Sequence, residues 1–100
     1  METESFPLEP GMRSNLAIHP GEVLGDELET RGLTRADLAH LIQRPVGMVN
    51  NLVNGRLGIT ARTALELETA LGIPARMWMG LQDEYELVLA DSARAAVVGA

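Results

Sequence analysis

The fold is decided by residues 34–55, TRADLAHLIQRPVGMVNNLVNG, which contain two short helical patterns joined by a polar break. Thr34 is suited to cap the first helix, and Asp37 three residues later makes the sequence close to a capping box. Apolar residues then recur at helical spacing and predict one inward face, formed by Leu38, Leu41 and Ile42.

The second pattern begins after the break at Gln43 and Arg44. Pro45 restarts the helix, because its fixed φ suits a first helical turn and disfavours the helical region for the residue before it. The residues predicted to face inward are Val46, Val49, Leu52 and Val53. The opposite stripe carries Gly47, Asn50, Asn51 and Asn54, where most surface helices would carry Glu and Lys.

Neutral amides on that stripe have a chemical use. An amide both donates and accepts hydrogen bonds, and asparagine can pair with the N6 and N7 edge of adenine. Two helices joined by three or four residues, the second with an amide-rich outer face, are typical of a DNA-binding helix-turn-helix.

Size and composition favour one small all-α domain. The chain has 100 residues, of which 46% are hydrophobic and only three aromatic, so aliphatic residues must build the core. Cysteine is absent, which excludes disulfides and thiolate metal sites, and His19 and His40 lack a second ligand at metal-binding spacing. We therefore expect no cofactor. No apolar run is long enough to cross a membrane and the acidic start lacks a signal-peptide pattern, so we expect a cytoplasmic location.

The distribution of charge reverses the first impression that the chain avoids nucleic acid. Its net charge is −6, which opposes binding to phosphates. Residues 31–62, however, carry five arginines and a single acid, and they coincide with the helix-turn-helix. The acidic remainder then fits another partner, such as a basic protein.

The other segments are predicted from their caps and breaks. Residues 1–17 are expected to form a flexible arm, 18–90 the domain, and 91–100 a frayed tail. A first helix opens with Pro20 near its first position and stops at Gly32, and Thr60 caps a fourth helix that Gly72 ends. Pro74 is expected to begin a fifth helix.

The apolar stripe of the fifth helix is long for the end of so small a domain. We predict that Trp78 closes the core, and that a dimer seam begins further along the stripe, since aromatic residues are frequent interface anchors. The residues predicted for this seam are Leu81, Tyr85, Val88 and Leu89.

Several short runs together resemble the HigA (VapI-type) antitoxins of the Xre, or lambda-repressor-like, family. In chain order they are His19-Pro20-Gly21-Glu22, Leu38-Ala39, Arg44-Pro45-Val46, Val53-Asn54-Gly55, Gly58-Ile59-Thr60, Thr63-Ala64-Leu65, and Trp78 with Leu81-Gln82. The resemblance covers about residues 18–90. The chain departs from the family pattern at Gln43, where glycine is common, and at Gly47-Met48, where relatives often carry Gln-Thr.

The resemblance implies a five-helix lambda-repressor-like domain that forms a homodimer on double-stranded operator DNA of its own operon. It also implies a partner toxin of the HigB type, a small and usually basic ribonuclease that cuts mRNA on the ribosome. An antitoxin of this kind has no catalytic activity of its own.

We predict two groups of DNA contacts. Base edges are assigned to Gln43, Met48, Asn50 and Asn51, with Gly47 allowing close approach. Phosphates are assigned to Thr34, Arg35, Asn54, Arg56 and Arg62, while Arg44 could serve either group. Taken singly, Asn54-Gly55 is better explained as a helix C-cap, and Arg35 and Arg62 are equally well explained as solvated surface charges.

The sequence leaves two other functions open. The chain could be a stand-alone transcription regulator with no toxin, which an adjacent reading frame for a small basic protein would argue against. An enzyme is the weakest alternative, because the sequence has no P-loop, no Gly-x-Ser-x-Gly and no cluster of metal ligands.

Overall fold

The computed structural model describes residues 17–99, with side chains through residue 95, and this part of the chain forms five helices and no strand. The helices are α1 (Pro20–Arg31), α2 (Arg35–Ile42), α3 (Val46–Val53), α4 (Ala61–Leu71) and α5 (Ala75–Gly99). The predicted all-α fold is confirmed. The predicted flexible arm lies outside the described residues, apart from Ala17.

Local capping signals account for most helix boundaries. The Thr34 hydroxyl accepts the N–H of Asp37 at the start of α2, and Thr60 accepts the N–H of Thr63 at the start of α4. Gly32 and Gly72 end α1 and α4 in the left-handed conformation, with φ of 70° and 78°. These four predictions are confirmed.

Two helices begin one residue later than the sequence predicts, directly after Pro45 and Pro74. Pro45 is the N-cap of α3 rather than its first residue, and Pro74 directly precedes α5. In both places the proline carbonyl accepts an N–H of the first turn, from Met48 at 3.0 Å and from Met77 at 2.9 Å. A proline can supply this acceptor from outside the helix, where its missing N–H costs nothing.

One hydrophobic core joins all five helices. Its fully buried members include Leu24 of α1, Leu38 of α2, Leu52 of α3, Leu67 of α4 and Trp78 of α5. The prediction that Trp78 closes the core is confirmed, and its indole N–H has no hydrogen-bond partner among the described residues.

Two residues predicted to face inward are exposed. Leu41 is 52% accessible and Val46 is 46% accessible. On α2 the small Ala39, rather than Leu41, completes the buried face with Leu38 and Ile42, so the buried stripe is rotated toward Ala39. Val46 is the first residue of α3 and precedes the first buried position, Val49.

Helix α5 includes residues 91–99, the segment for which the sequence predicts a frayed tail. Alanine has the highest helix propensity, and an Arg94–Asp91 ion pair of 2.6 Å adds a contact between neighbouring turns. None of the described helices is long and apolar enough to cross a membrane. Within residues 17–99 no three acidic or histidine side chains are grouped to hold a metal ion.

Candidate nucleic-acid interface

The turn between α2 and α3 is made by a glutamine in a conformation that favours glycine. Gln43 has φ 57° and ψ 49°, and it is the one residue other than glycine with positive φ in the described part of the chain. Its N–H bonds to the carbonyl oxygens at the end of α2, and the N–H of Arg44 bonds to the Ala39 oxygen at 2.9 Å. The chain therefore keeps the tight turn of a helix-turn-helix at the expense of backbone strain.

A complete capping box fixes the first turn of α2. The Thr34 N–H donates to the Asp37 carboxylate at 2.9 Å, and the Asp37 N–H donates to the Thr34 hydroxyl at 3.0 Å. The hydrogen bonds from the Thr34 backbone, and then from its hydroxyl, lower the pKa of Asp37. Thr34 itself stays exposed.

The outer face of α3 is open, as the sequence predicted. Gly47, Asn51 and Asn54 are exposed, and Met48 and Asn50 are half-buried. A Cβ added at Gly47 would meet no atom within 4 Å, so nothing in the described chain covers this end of the helix. An uncovered helix face with three asparagines and a glycine allows another molecule to approach the α3 backbone closely.

Arg35 links the first residue of α2 to this face. Its Nη1 donates to Oδ1 of Asn50 at 3.2 Å and to Oδ1 of Asn54 at 3.3 Å. The side chain is half-buried rather than extended into solvent. The sequence predicted either a phosphate contact or a solvated surface charge for Arg35, and neither role includes these two internal hydrogen bonds.

Arg44 is held by a carboxylate of α4. Its Nε lies 3.2 Å from both oxygens of Glu66, and its Nη2 lies 3.1 Å from Oε2. Arg62 shares the same carboxylate at 3.3 Å, but 77% of its side chain remains accessible. The Glu66 contact thus fastens the turn to α4 and leaves Arg62 available to a ligand.

The loop after α3 completes the arginine-bearing edge. Asn54 is the C-cap residue, and Gly55 follows with φ 78°. The N–H of Arg56 donates to the backbone carbonyl oxygen of Asn51 at 2.8 Å. The Arg56 side chain is exposed. Asn54-Gly55 therefore ends the helix as a C-cap, while the side chains of Asn54 and Arg56 remain exposed.

No family model matches the chain, whereas known proteins and solved structures do. Virulence-associated protein I of Dichelobacter nodosus is 37% identical over 82 residues, which span 81% of this chain and 76% of that protein. The chain belongs to the HigA (VapI-type) antitoxin family.

Solved structures of HigA-type proteins share the fold. An addiction module antidote protein of the HigA family from Coxiella burnetii has a TM-score of 0.76 at 33% identity, covering 83% of this chain and 91% of that one. Pseudomonas aeruginosa antitoxin HigA, solved with the higBA promoter, has a TM-score of 0.77 at 36% identity, covering 82% and 90%.

In this HigA-type chain, the start of α1 packs against the backbone of α3. His19 is buried, and its Nδ1 accepts the Gly21 N–H at 2.8 Å, so the proton of the neutral ring is on Nε2. Burial lowers the pKa of His19, and the negative charge of Glu22 partly opposes that effect. A Cβ added at Gly21 would lie 1.8 Å from the Leu52 carbonyl oxygen, so α1 touches the α3 backbone directly.

A glutamine from α5 holds the loop that leads from α3 to α4. Gln82 is buried, its Oε1 accepts the Ile59 N–H at 2.7 Å, and its Nε2 donates to Glu86 at 2.7 Å. Sequence reasoning missed the roles of Gln82 and His19. The available signals were a polar residue inside the apolar stripe of α5 and a histidine directly before Pro20.

The four residues predicted for the dimer seam separate into two pairs. Leu81 packs against the core, and the Tyr85 ring meets the His19 ring edge-on, with centroids 4.8 Å apart. Val88 is half-buried, and Leu89 is 45% accessible on the same side of α5. A seam on this helix would therefore rest mainly on Val88 and Leu89.

Proposed function

We propose that this chain is the antitoxin of a type II toxin–antitoxin pair. As a homodimer it binds operator DNA and represses its own operon, and it neutralises a HigB-like toxin that cuts mRNA. It performs no catalysis itself. The observation that carries the proposal is the open amide face of α3 beside exposed arginines, in a chain that is otherwise acidic.

The outer face of α3 has the character needed to enter a major groove. Asn51 and Asn54 are exposed and Asn50 is half-buried, whereas Val49 and Leu52 are fully buried. Gly47 leaves the first turn uncovered. We assign base edges to Gln43, Met48, Asn50 and Asn51. The solved complex of the Pseudomonas antitoxin with promoter DNA supports this class of ligand for a related fold.

Phosphates are assigned to the accessible groups on either side of α3. They are Thr34 at the start of α2, together with the Arg56 and Arg62 side chains. If the dimer neutralises six phosphates, the logarithm of its affinity should fall with the logarithm of salt at a slope of about −5. The two recognition helices of the dimer should lie about 34 Å apart, one turn of duplex.

An acidic surface on α1 fits the basic toxin. Glu22, Asp26 and Glu29 are exposed at spacings of four and three residues, which place them on one side of the helix. This surface belongs to a different helix from the amide face. We therefore expect charge reversal at Asp26 and Glu29 to weaken toxin binding and to leave operator affinity unchanged.

The DNA assignment is tested by two alanine variants measured at fixed salt. Asn50→Ala should weaken binding to the operator about tenfold and binding to a scrambled duplex little, because a base contact discriminates by about 1–3 kcal/mol. Arg56→Ala should weaken both duplexes alike. Equal losses for both variants on both duplexes would refute the division into base and phosphate contacts.

The antitoxin assignment is tested by co-expression with the product of an adjacent reading frame for a small basic protein. Co-purification and restored growth support the pair, and a footprint on the upstream DNA locates the operator. A protein that binds upstream DNA but has no toxic neighbour is instead a stand-alone regulator. Nuclease or hydrolase activity in the purified protein would contradict the non-catalytic assignment.

A further inference from the structure

The contact between Arg35 and the asparagines of α3 determines which atoms those side chains can offer. One guanidinium nitrogen, Nη1, donates to the Oδ1 atoms of both Asn50 and Asn54. The two asparagines are one helical turn apart, so a single group from α2 restrains two consecutive turns of the recognition helix.

The chemistry of the guanidinium fixes the orientation of both amides. Arginine has only hydrogen-bond donors, so the atom that each asparagine turns toward Arg35 must be its oxygen. This settles the oxygen and nitrogen positions, which are otherwise hard to distinguish in an amide. The Nδ2 of Asn50 makes no hydrogen bond within the part of the chain that is described.

We propose that Arg35 is a positioning residue that makes Asn50 a hydrogen-bond donor in the major groove. With its oxygen occupied by Arg35, Asn50 presents Nδ2–H to an acceptor, which can be a purine N7, a guanine O6 or a thymine O4. The two-bond pair with adenine would need the same oxygen to accept from the N6 amino group while it faces Arg35, so we expect Asn50 to use its donor alone. This inference rests on the proposed function, because it takes α3 to be the helix that enters the groove.

The assignment changes the role of Arg35 relative to the other arginines. Arg56 is exposed and its side chain has no internal partner among the described residues, whereas Arg35 is half-buried and its Nη1 is used internally. Arg56 is therefore free to neutralise a phosphate, while Arg35 acts through Asn50. We therefore expect Arg35 to affect the choice of base and Arg56 to affect the salt dependence of binding.

The test uses base analogues on a duplex selected from a random library by the wild-type protein. Each half-site position is replaced by a base that lacks one groove atom, and binding is measured by fluorescence anisotropy at fixed salt. The replacements are 7-deazapurines for N7, 2-aminopurine for guanine O6, a 4-deoxythymine for O4, and purine for the N6 amino group of adenine.

Removal of one acceptor atom should weaken wild-type binding about tenfold, as expected for a lost base contact. The same analogue should have no effect on Asn50→Ala. Arg35→Met should also lose the sensitivity although Asn50 is present, because its amide is then free to rotate. Coupling of Asn50 to the N6 amino group, or to none of the removed atoms, would overturn the proposal.

Arg56→Met is the matched control, since it removes an arginine of the same edge with the same substitution. It should weaken the selected and the scrambled duplex alike, flatten the salt slope by about 2 per dimer, and keep the full analogue effect. If Arg35→Met behaves in this way as well, Arg35 is a phosphate contact and not a positioning residue.

Failure of this inference can be told apart from failure of the proposed function. A wild-type protein that selects no sequence from the library does not bind an operator, which refutes the proposed function itself. Circular dichroism and thermal unfolding of Arg35→Met confirm that the variant is folded. A folded Arg35→Met variant that keeps the wild-type analogue effect rejects the positioning role alone.

Discussion

At the scale of single residues, two positions at the start of α1 control how α3 is held. Gly21 is required because a Cβ added there would collide with the Leu52 backbone, which cannot rotate away as a side chain can. His19 is required as a neutral ring, because a proton on Nδ1 would remove the acceptor for the Gly21 N–H. Neither position touches the proposed DNA-binding face, so their effects appear first in stability.

Gly21→Ala should destabilise the fold by about 3 kcal/mol or more, since the added methyl group collides with the Leu52 carbonyl. The melting temperature should fall by more than about 10 °C in a chain of this length. Gly80→Ala is the control: it lies within α5 with open space around it, and should gain about 0.5–1 kcal/mol. Equal melting temperatures for the two variants would contradict the close contact.

Acid should destabilise the protein through His19. Its folded pKa lies below the ordinary 6.5, so the unfolded chain binds a proton more readily than the folded one. The stabilisation by the neutral ring is complete above pH 6.5 and is lost as pH falls through that value toward the folded pKa. His19→Asn keeps a side-chain acceptor at the N-cap and does not titrate in this range. In this variant the urea midpoint should therefore depend less on pH between pH 7.5 and 5.5 than in the wild-type protein.

The control for the histidine is His40→Asn, which removes an exposed ring on α2. The same slope in His19→Asn and wild type would assign the acid sensitivity to other groups.

At the scale of elements, the strained turn between α2 and α3 separates stability from recognition. Gln43→Gly should stabilise the protein by about 1 kcal/mol, because glycine adopts positive φ without the steric cost of a side chain. It should also weaken operator binding if Gln43 faces a base. Urea unfolding and anisotropy titrations measure the two effects separately.

Gln43→Ala is the matched control for that experiment. It removes the same functional group and keeps the Cβ, so it should weaken operator binding without the gain in stability. A gain of similar size in the alanine variant would show that the left-handed backbone is not the cause.

The elements also show what a single sequence can and cannot predict. Thr34, Thr60, Gly32 and Gly72 were predictable because a cap depends on residues within one turn. The Arg35–Asn50 and Arg44–Glu66 contacts join positions 15 and 22 residues apart, so they depend on how whole helices pack. Leu41 was misplaced for a related reason: its neighbour Ala39 fits the close approach of another helix and takes the buried position.

At the scale of the whole molecule, α5 carries the surface predicted to join two copies of the chain. Leu89→Glu should convert the proposed dimer to a monomer, because it places a charge at the exposed part of the predicted seam. Sedimentation velocity measures the change, and operator affinity should fall with it. Leu65→Glu, at a leucine of α4 that is 59% exposed, is the control and should remain dimeric. If only Leu65→Glu loses the dimer, the seam lies on α4 and not on α5.

The burial of Trp78 gives the molecule an internal optical reporter. It is the only tryptophan in the sequence, and neither solvent nor a polar partner within the described chain reaches its indole N–H. Emission from the native protein should therefore fall at the short wavelengths typical of an indole in hydrocarbon surroundings, and shift to the red on unfolding. A fluorescence change seen when DNA is added would then report a rearrangement inside the helical bundle, since no tryptophan lies on the proposed binding face.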